Sequence, residues 1–209
     1  MIPVGYMAKR RVQSRPDWAK NSPVGEIYSV CDCVSKNFAD YINFWKHNGY
    51  WLFDSPEIIE RVAAENHIDL GETSLFYYEA HEMEFDGEQW QSWARDPSFT
   101  TEVSPPSHRR LEGYDVVNFT ARTRPECSTL ACTSLAEELG TNSHGLFDSF
   151  EQAWKRVDDG SFNDCEPGPY RIFAVYSVEW SGKLSLGAGA EKQTQILPSR
   201  SVSRQDDNS

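Results

Sequence analysis

Leu52-Phe53-Asp54-Ser55-Pro56-Glu57 is written a second time in the chain, as Leu146-Phe147-Asp148-Ser149-Phe150-Glu151, with a single change. Each copy has the pattern of a helix start. An Asp can accept hydrogen bonds from the unpaired N–H groups of the first turn, and a Glu three residues on can reach back. Pro56 suits an early helical position, where its missing donor costs nothing. Each copy also follows a short apolar run and precedes a strand-like segment, so the element order around it repeats.

In the first half that order is a strand over Glu26–Val30, a turn at Cys31-Asp32-Cys33 and a helix over Ser35–Trp45. Phe38, Tyr41, Ile42 and Trp45 share one face of that helix, and Asn48-Gly49 stops it. A brief strand (Tyr50–Phe53), a capped helix from Pro56 to about Glu65 and a long strand (Leu75–Phe85) follow. Asp86-Gly87 is a strong hairpin signal, with Glu88–Trp93 as the returning strand. The second half gives a strand over Tyr114–Ala121, a loop with Cys127 and Cys132, and a helix over Ser134–Leu139 closed by Gly140. Then come a brief strand (Gly145–Phe147), the second capped helix stopping at Gly160, and a strand over Tyr170–Trp180. Good caps converge, which accounts for the repeated hexapeptide; it does not account for the matched spacing onward to Glu84-Phe85-Asp86-Gly87 and Glu179-Trp180-Ser181-Gly182.

The expected fold is therefore α+β: a mainly antiparallel sheet with short flanking helices, in two related halves packed about a pseudo-twofold axis. The expected divisions are an irregular lead-in (1–25, with an edge strand at Val4–Tyr6), a first half (26–93), a linker or long loop (94–112), a second half (113–182) and a flexible tail (183–209).

Composition narrows the function. Aromatic residues make up 13% of the chain, which argues for an ordered core. A net charge of −12 disfavours nucleic acid as partner, because a phosphate binder needs a basic stripe, and Lys9-Arg10-Arg11 and His108-Arg109-Arg110 are short. No apolar run reaches the roughly 20 residues that span a bilayer, so no membrane is expected. The N-terminus lacks the pattern of a secretory leader, which points to reduced cysteines and a cytoplasmic setting. Neither a phosphate-cradling Gly-rich motif nor the common hydrolase and metalloprotease motifs occur, and no cofactor is implied.

Two functional readings remain. The first is a non-catalytic binding module of the immunity, inhibitor or adaptor kind, presenting an acidic, aromatic-rich surface to a protein partner with a basic surface. Glu82 and Glu84, with Glu179 in the second half, are its candidate partner-binding residues, on the solvated side of their strands. The second is an enzyme. Leu75, Tyr77, Glu79, His81, Met83 and Phe85 alternate onto one strand face, whereas the corresponding face of the second half reads as core. There His81 would be a general base oriented by Glu79, with Tyr77 beside them as third candidate catalytic residue. No metal site is expected: neither the Cys31/Cys33 nor the Cys127/Cys132 spacing is that of a zinc motif, and only a close approach of the two turns would bring the thiols together.

Overall fold

A computed structural model describes residues 1–10, 24–32, 37–38, 47–100, 102–119, 125 and 127–180. The helix expected over 35–45 falls outside these residues apart from Asn37 and Phe38, as do Cys33 and the tail from 181. The elements in order are β1 (Ile2–Arg10), α1 (Pro56–Glu65), β2 (Thr73–Phe85), β3 (Trp90–Ser92), β4 (Arg110–Asn118), β5 (Cys127–Ser128), α2 (Thr129–Cys132), α3 (Leu135–Glu138), α4 (Phe150–Asp158) and β6 (Tyr170–Val178). The strands form one curled antiparallel sheet in the order β1-β2-β6-β4-β5, with β3 paired to β2 beyond the Asp86-Gly87 turn. With its short helices this is an α+β fold.

Strands β2 and β6 lie at the centre because both of their faces are covered. Leu75–Ala80 and Tyr170–Val175 are buried without a break, the signature of a strand sandwiched on both sides. Strand β1 pairs with the first part of β2, from Ile2 opposite Ala80 to Arg10 opposite Thr73, and so exceeds the expected Val4–Tyr6. Strand β4 begins at Arg110, inside the stretch expected to be linker.

The two repeated hexapeptides do start helices, but the caps sit one residue later than expected. Ser55 and Ser149 occupy the N-cap with extended backbone, and the Ser149 hydroxyl accepts from the Gln152 amide at 3.1 Å. Asp54 and Asp148 turn away and accept instead from the side-chain amides of Asn48 (3.0 Å) and Asn142 (3.3 Å). Ile59 and Ala63 bury one face of α1, and Ala153 and Val157 that of α4, each pair at the four-residue spacing of a helix stripe.

The segments before these helices are turns rather than strands. Phe53 makes one bridge to Tyr6, and Phe147 one to Tyr114. Both bridges form beside a glycine at positive φ, Gly5 (+137°) and Gly113 (+143°), where the strand register shifts by a bulge. A Cβ on either glycine would stand 2.7 Å from the carbonyl oxygen of Phe53 or Phe147. The backbones meet so closely there that only glycine fits, and the chain then turns straight into the helix. Residues 26–30 likewise carry no strand; Val30 packs into the core and Val24 and Ile27 into a second cluster beneath α4.

Candidate functional site

Residues directly opposite on neighbouring strands share a face of the sheet. Tyr6, Tyr77 and Tyr176 form one row across β1, β2 and β6; Glu79, Ala174 and Tyr114 form the next row on the same face. Both longer helices meet this face. Phe150 of α4 lies against Tyr114 (6.2 Å between ring centres) and His81 (4.8 Å), and Glu60 of α1 accepts from the Trp180 indole, just beyond β6, at 2.7 Å.

Glu79 stands at the middle of that face, 9% exposed. A carboxylate so withdrawn from water has to be compensated by partners. The Tyr77 hydroxyl donates to Oε1 at 3.1 Å and the Tyr176 hydroxyl to Oε2 at 3.0 Å. The third partner is a cation: Arg109 Nη1 lies 2.9 Å from Oε1. The Arg109 guanidinium also sits over the Tyr176 ring (4.6 Å to its centre) and the Tyr77 ring (5.2 Å), within cation–π range. Tyr6 packs 5.0 Å from Tyr77, and its hydroxyl donates to the Ser104 carbonyl at 2.6 Å, tying down the loop that delivers Arg109.

These phenols stay protonated. Burial, followed by the charge of Glu57, pushes Tyr6 up to about 12. Burial and then the bond to Glu79 push Tyr176 up to about 12, and burial with Glu79 moves Tyr77 further in the same direction. Tyr114 is raised by burial and by Glu151 and Glu79. The hydroxyls of Tyr77 and Tyr176 are therefore donors to the Glu79 carboxyl group. The result is a carboxylate ringed by aromatic faces and neutral donors, an arrangement suited to holding an organic cation.

The proposed acid–base pair does not form. No hydrogen bond or ion pair joins Glu79 to His81. Both Glu79 oxygens are taken, and beyond Ala80 the ladder between β2 and β6 breaks at a bulge. His81 Nδ1 accepts from the Met83 amide at 3.1 Å, and its ring lies among Phe150, Trp154 (5.2 Å) and Trp90 (6.4 Å). Burial lowers its pKa. Tyr77 does join Glu79, as a hydrogen-bond donor rather than a base.

Nor do the three carboxylates form one solvated row. Glu82 and Glu179 are exposed, but Glu84 is buried and held by Arg171 through Nη2 (2.7 Å) and Nε (2.8 Å). Alternation does put Glu84 on the face opposite Glu79, in register with Arg171, but that face is covered there rather than solvated. Sequence reasoning missed Arg109, which it placed in a short basic cluster of a loop, and it took Tyr176 for plain core. The available signal was that Tyr77 and Glu79 share a face, and that tyrosines on neighbouring strands fall in the same rows.

A cavity of about 610 Å³ lies beside the opposite face, lined among others by His47, Trp51, Trp93, Arg95, Phe99 and Arg171. Its guanidinium groups are engaged, Arg171 with Glu84 and Arg95 with the Asn48 carbonyl at 3.2 Å. The cysteine-bearing turns do approach, since the Ser128 amide donates to Cys31 Sγ at 3.2 Å. Among the described residues, however, no group of three or more His, Cys, Asp or Glu is placed to hold a metal ion, and no helix is long and apolar enough to cross a membrane.

No protein-family model matches the chain, and no curated protein or solved structure matches it significantly.

Proposed function

We propose that the protein is a non-catalytic binding module whose recognition site is the tyrosine cage around Glu79, and that its ligand is an organic molecule bearing a cationic group. The observation that carries this reading is that the cage already holds a cation in place, Arg109, by the two means such a ligand would use: a charge-assisted hydrogen bond to Glu79 and the faces of two tyrosine rings. The acidic character of the chain supports the reading by enriching cations near its surface. Recognition is thus assigned to the face between α1 and α4 rather than to a protein-docking row of Glu82, Glu84 and Glu179.

The same reading includes the two-half organisation. The ladder between β2 and β6 is unchanged when the halves are exchanged. Glu79 pairs with Ala174, its counterpart, while Tyr78 and Ala80 pair with Val175 and Phe173, which are the counterparts of Ala80 and Tyr78. Together with the matched turns at Gly5 and Gly113, this supports descent from one duplicated unit, with Glu79 beside the axis and changed in one copy only.

The test is a fluorescence titration of the protein and of Glu79→Gln with benzamidinium and benzyltrimethylammonium. Saturable binding that weakens by about tenfold or more in Glu79→Gln, roughly 1.4 kcal/mol, is expected. Equal binding by both proteins would reduce the effect to general attraction by an acidic chain and end the proposal.

A further inference from the structure

Resting on that reading and deepening it, we infer that Arg109 occupies the ligand's own place: the cage selects a planar guanidinium or amidinium, and Arg109 competes with it until the loop withdraws.

Among the described residues three buried carboxylates bond an arginine: Glu112 takes Arg110, whose side chain is 75% exposed, and the two whose arginines lie over aromatic rings differ in kind. Arg171 is built in. Its side chain is 9% exposed, it makes two bonds to Glu84, and its guanidinium lies 3.7 Å from the Trp93 ring centre and 4.0 Å from that of Phe119. Arg109 uses the same chemistry more loosely. Its side chain is 30% exposed, it makes one ion contact, and its rings lie at 4.6 and 5.2 Å. Glu79 is nonetheless almost as withdrawn as Glu84. A buried acceptor flanked by two aromatic faces, with a partly exposed occupant, is what a replaceable cation would leave.

Chain position fits the same account. Arg109 is the residue before β4, at the end of a stretch in which residues 94–100 and 102–109 carry no helix or strand. Its visible tether on this face is the Tyr6 hydroxyl on the Ser104 carbonyl. Withdrawing the side chain therefore requires no strand pair to break. The contact geometry also states the ligand's shape. An N–H directed at Glu79 while the charge lies over Tyr77 and Tyr176 is met by a flat, delocalised cation, with donors in its plane and faces free for the rings. A compact, strongly hydrated ammonium matches this less well.

The experiment is chemical rescue. Arg109→Ala, with Arg109→Gln as second variant should the first not fold by circular dichroism, is titrated with ethylguanidinium and ethylammonium. Tyrosine difference absorbance and thermal shift are the readouts. The wild-type protein and Arg109→Ala/Glu79→Gln are run beside it. Ethylguanidinium should bind the Arg109 variant at least about tenfold more tightly than it binds wild type, since an internal competitor has been removed. It should also bind that variant more tightly than ethylammonium does, and the double variant should lose the effect. If the Arg109 variant and wild type bind equally, in a manner that still depends on Glu79, Arg109 is not a competitor and the inference falls while the cage stands. Equal affinity for the two cations overturns the planar class. If neither protein binds either cation, the cage reading itself fails.

Discussion

Asn48 and Asn142 make the same set of contacts at the two helix starts. Each Nδ2 donates to the carbonyl just before a bulge glycine, Val4 at 2.9 Å and Glu112 at 2.8 Å. Each Oδ1 accepts from the amides two and four residues on, Tyr50 and Leu52 or His144 and Leu146. Replacing either Asn by Ala removes the side-chain partner of these buried and half-buried backbone groups. Asn48→Ala and Asn142→Ala are each expected to destabilise the protein by about 2 kcal/mol in urea unfolding, with the larger loss at the more buried Asn48.

The Arg171–Glu84 pair predicts a non-additive mutant cycle. Removing Arg171 alone leaves Glu84 buried and unpaired, so Arg171→Met is expected to lose about 3–5 kcal/mol. Arg171→Met/Glu84→Gln should recover much of that loss, because neither member is then charged. Arg171→Lys should behave more like the methionine variant than like wild type, since lysine can neither bond Glu84 twice nor stack flat between Trp93 and Phe119. Urea midpoints of wild type, these three variants and Glu84→Gln provide the check.

Asp115 sets a pH dependence of known sign. It is fully buried, accepts from the Ser29 and Ser128 hydroxyls at 2.7 and 2.5 Å and from the Val30 amide at 3.2 Å, and lies by the Cys31 thiol. Burial, and next the nearby Cys31, push it up to about 7 despite those bonds. The folded state therefore keeps a proton that the unfolded chain releases near its ordinary value of 3.8. Between these values stability falls as pH rises. Asp115→Asn should flatten this slope, seen as a smaller change in Tm between pH 5 and pH 7 than in wild type.

His81 should contribute the opposite slope. Burial holds its pKa below 6.5, so the unfolded chain takes up a proton first and stability falls as pH drops below that value. His81→Phe keeps the contact with Phe150 and Trp154 and should remove this acid loss.

The long strands, the two main helices and the hairpin at Asp86-Gly87 were legible because each is written in local chemistry: apolar runs, a helical stripe and a turn pair. The short segments around Phe53 and Phe147 were not. Their role is a single bridge beside a distant glycine, and nothing near Phe53 points to Gly5. The Asp-to-Ser shift of the caps has the same origin, because Asp54 answers to Asn48 rather than to the helix. For the site, alternation correctly put Tyr77 and Glu79 on one face. It also put His81 on that face and Glu84 on the other, but could not show that α4 would cover His81 or that Arg171 would bury Glu84. Arg109 was illegible because its partner lies on another strand, and sequence distance says nothing about which loop end reaches a sheet's centre.

The most direct measurement is an NMR titration of protein labelled at tyrosine Cζ, with benzamidinium as the probe. Phenol signals report ring by ring, so they separate the cage from the large cavity, whose tyrosine is Tyr50. The account predicts saturable shifts at Tyr77 and Tyr176, abolished by Glu79→Gln, with Tyr50 unmoved. Shifts confined to Tyr50, with Tyr77 and Tyr176 unchanged at saturation, would contradict it.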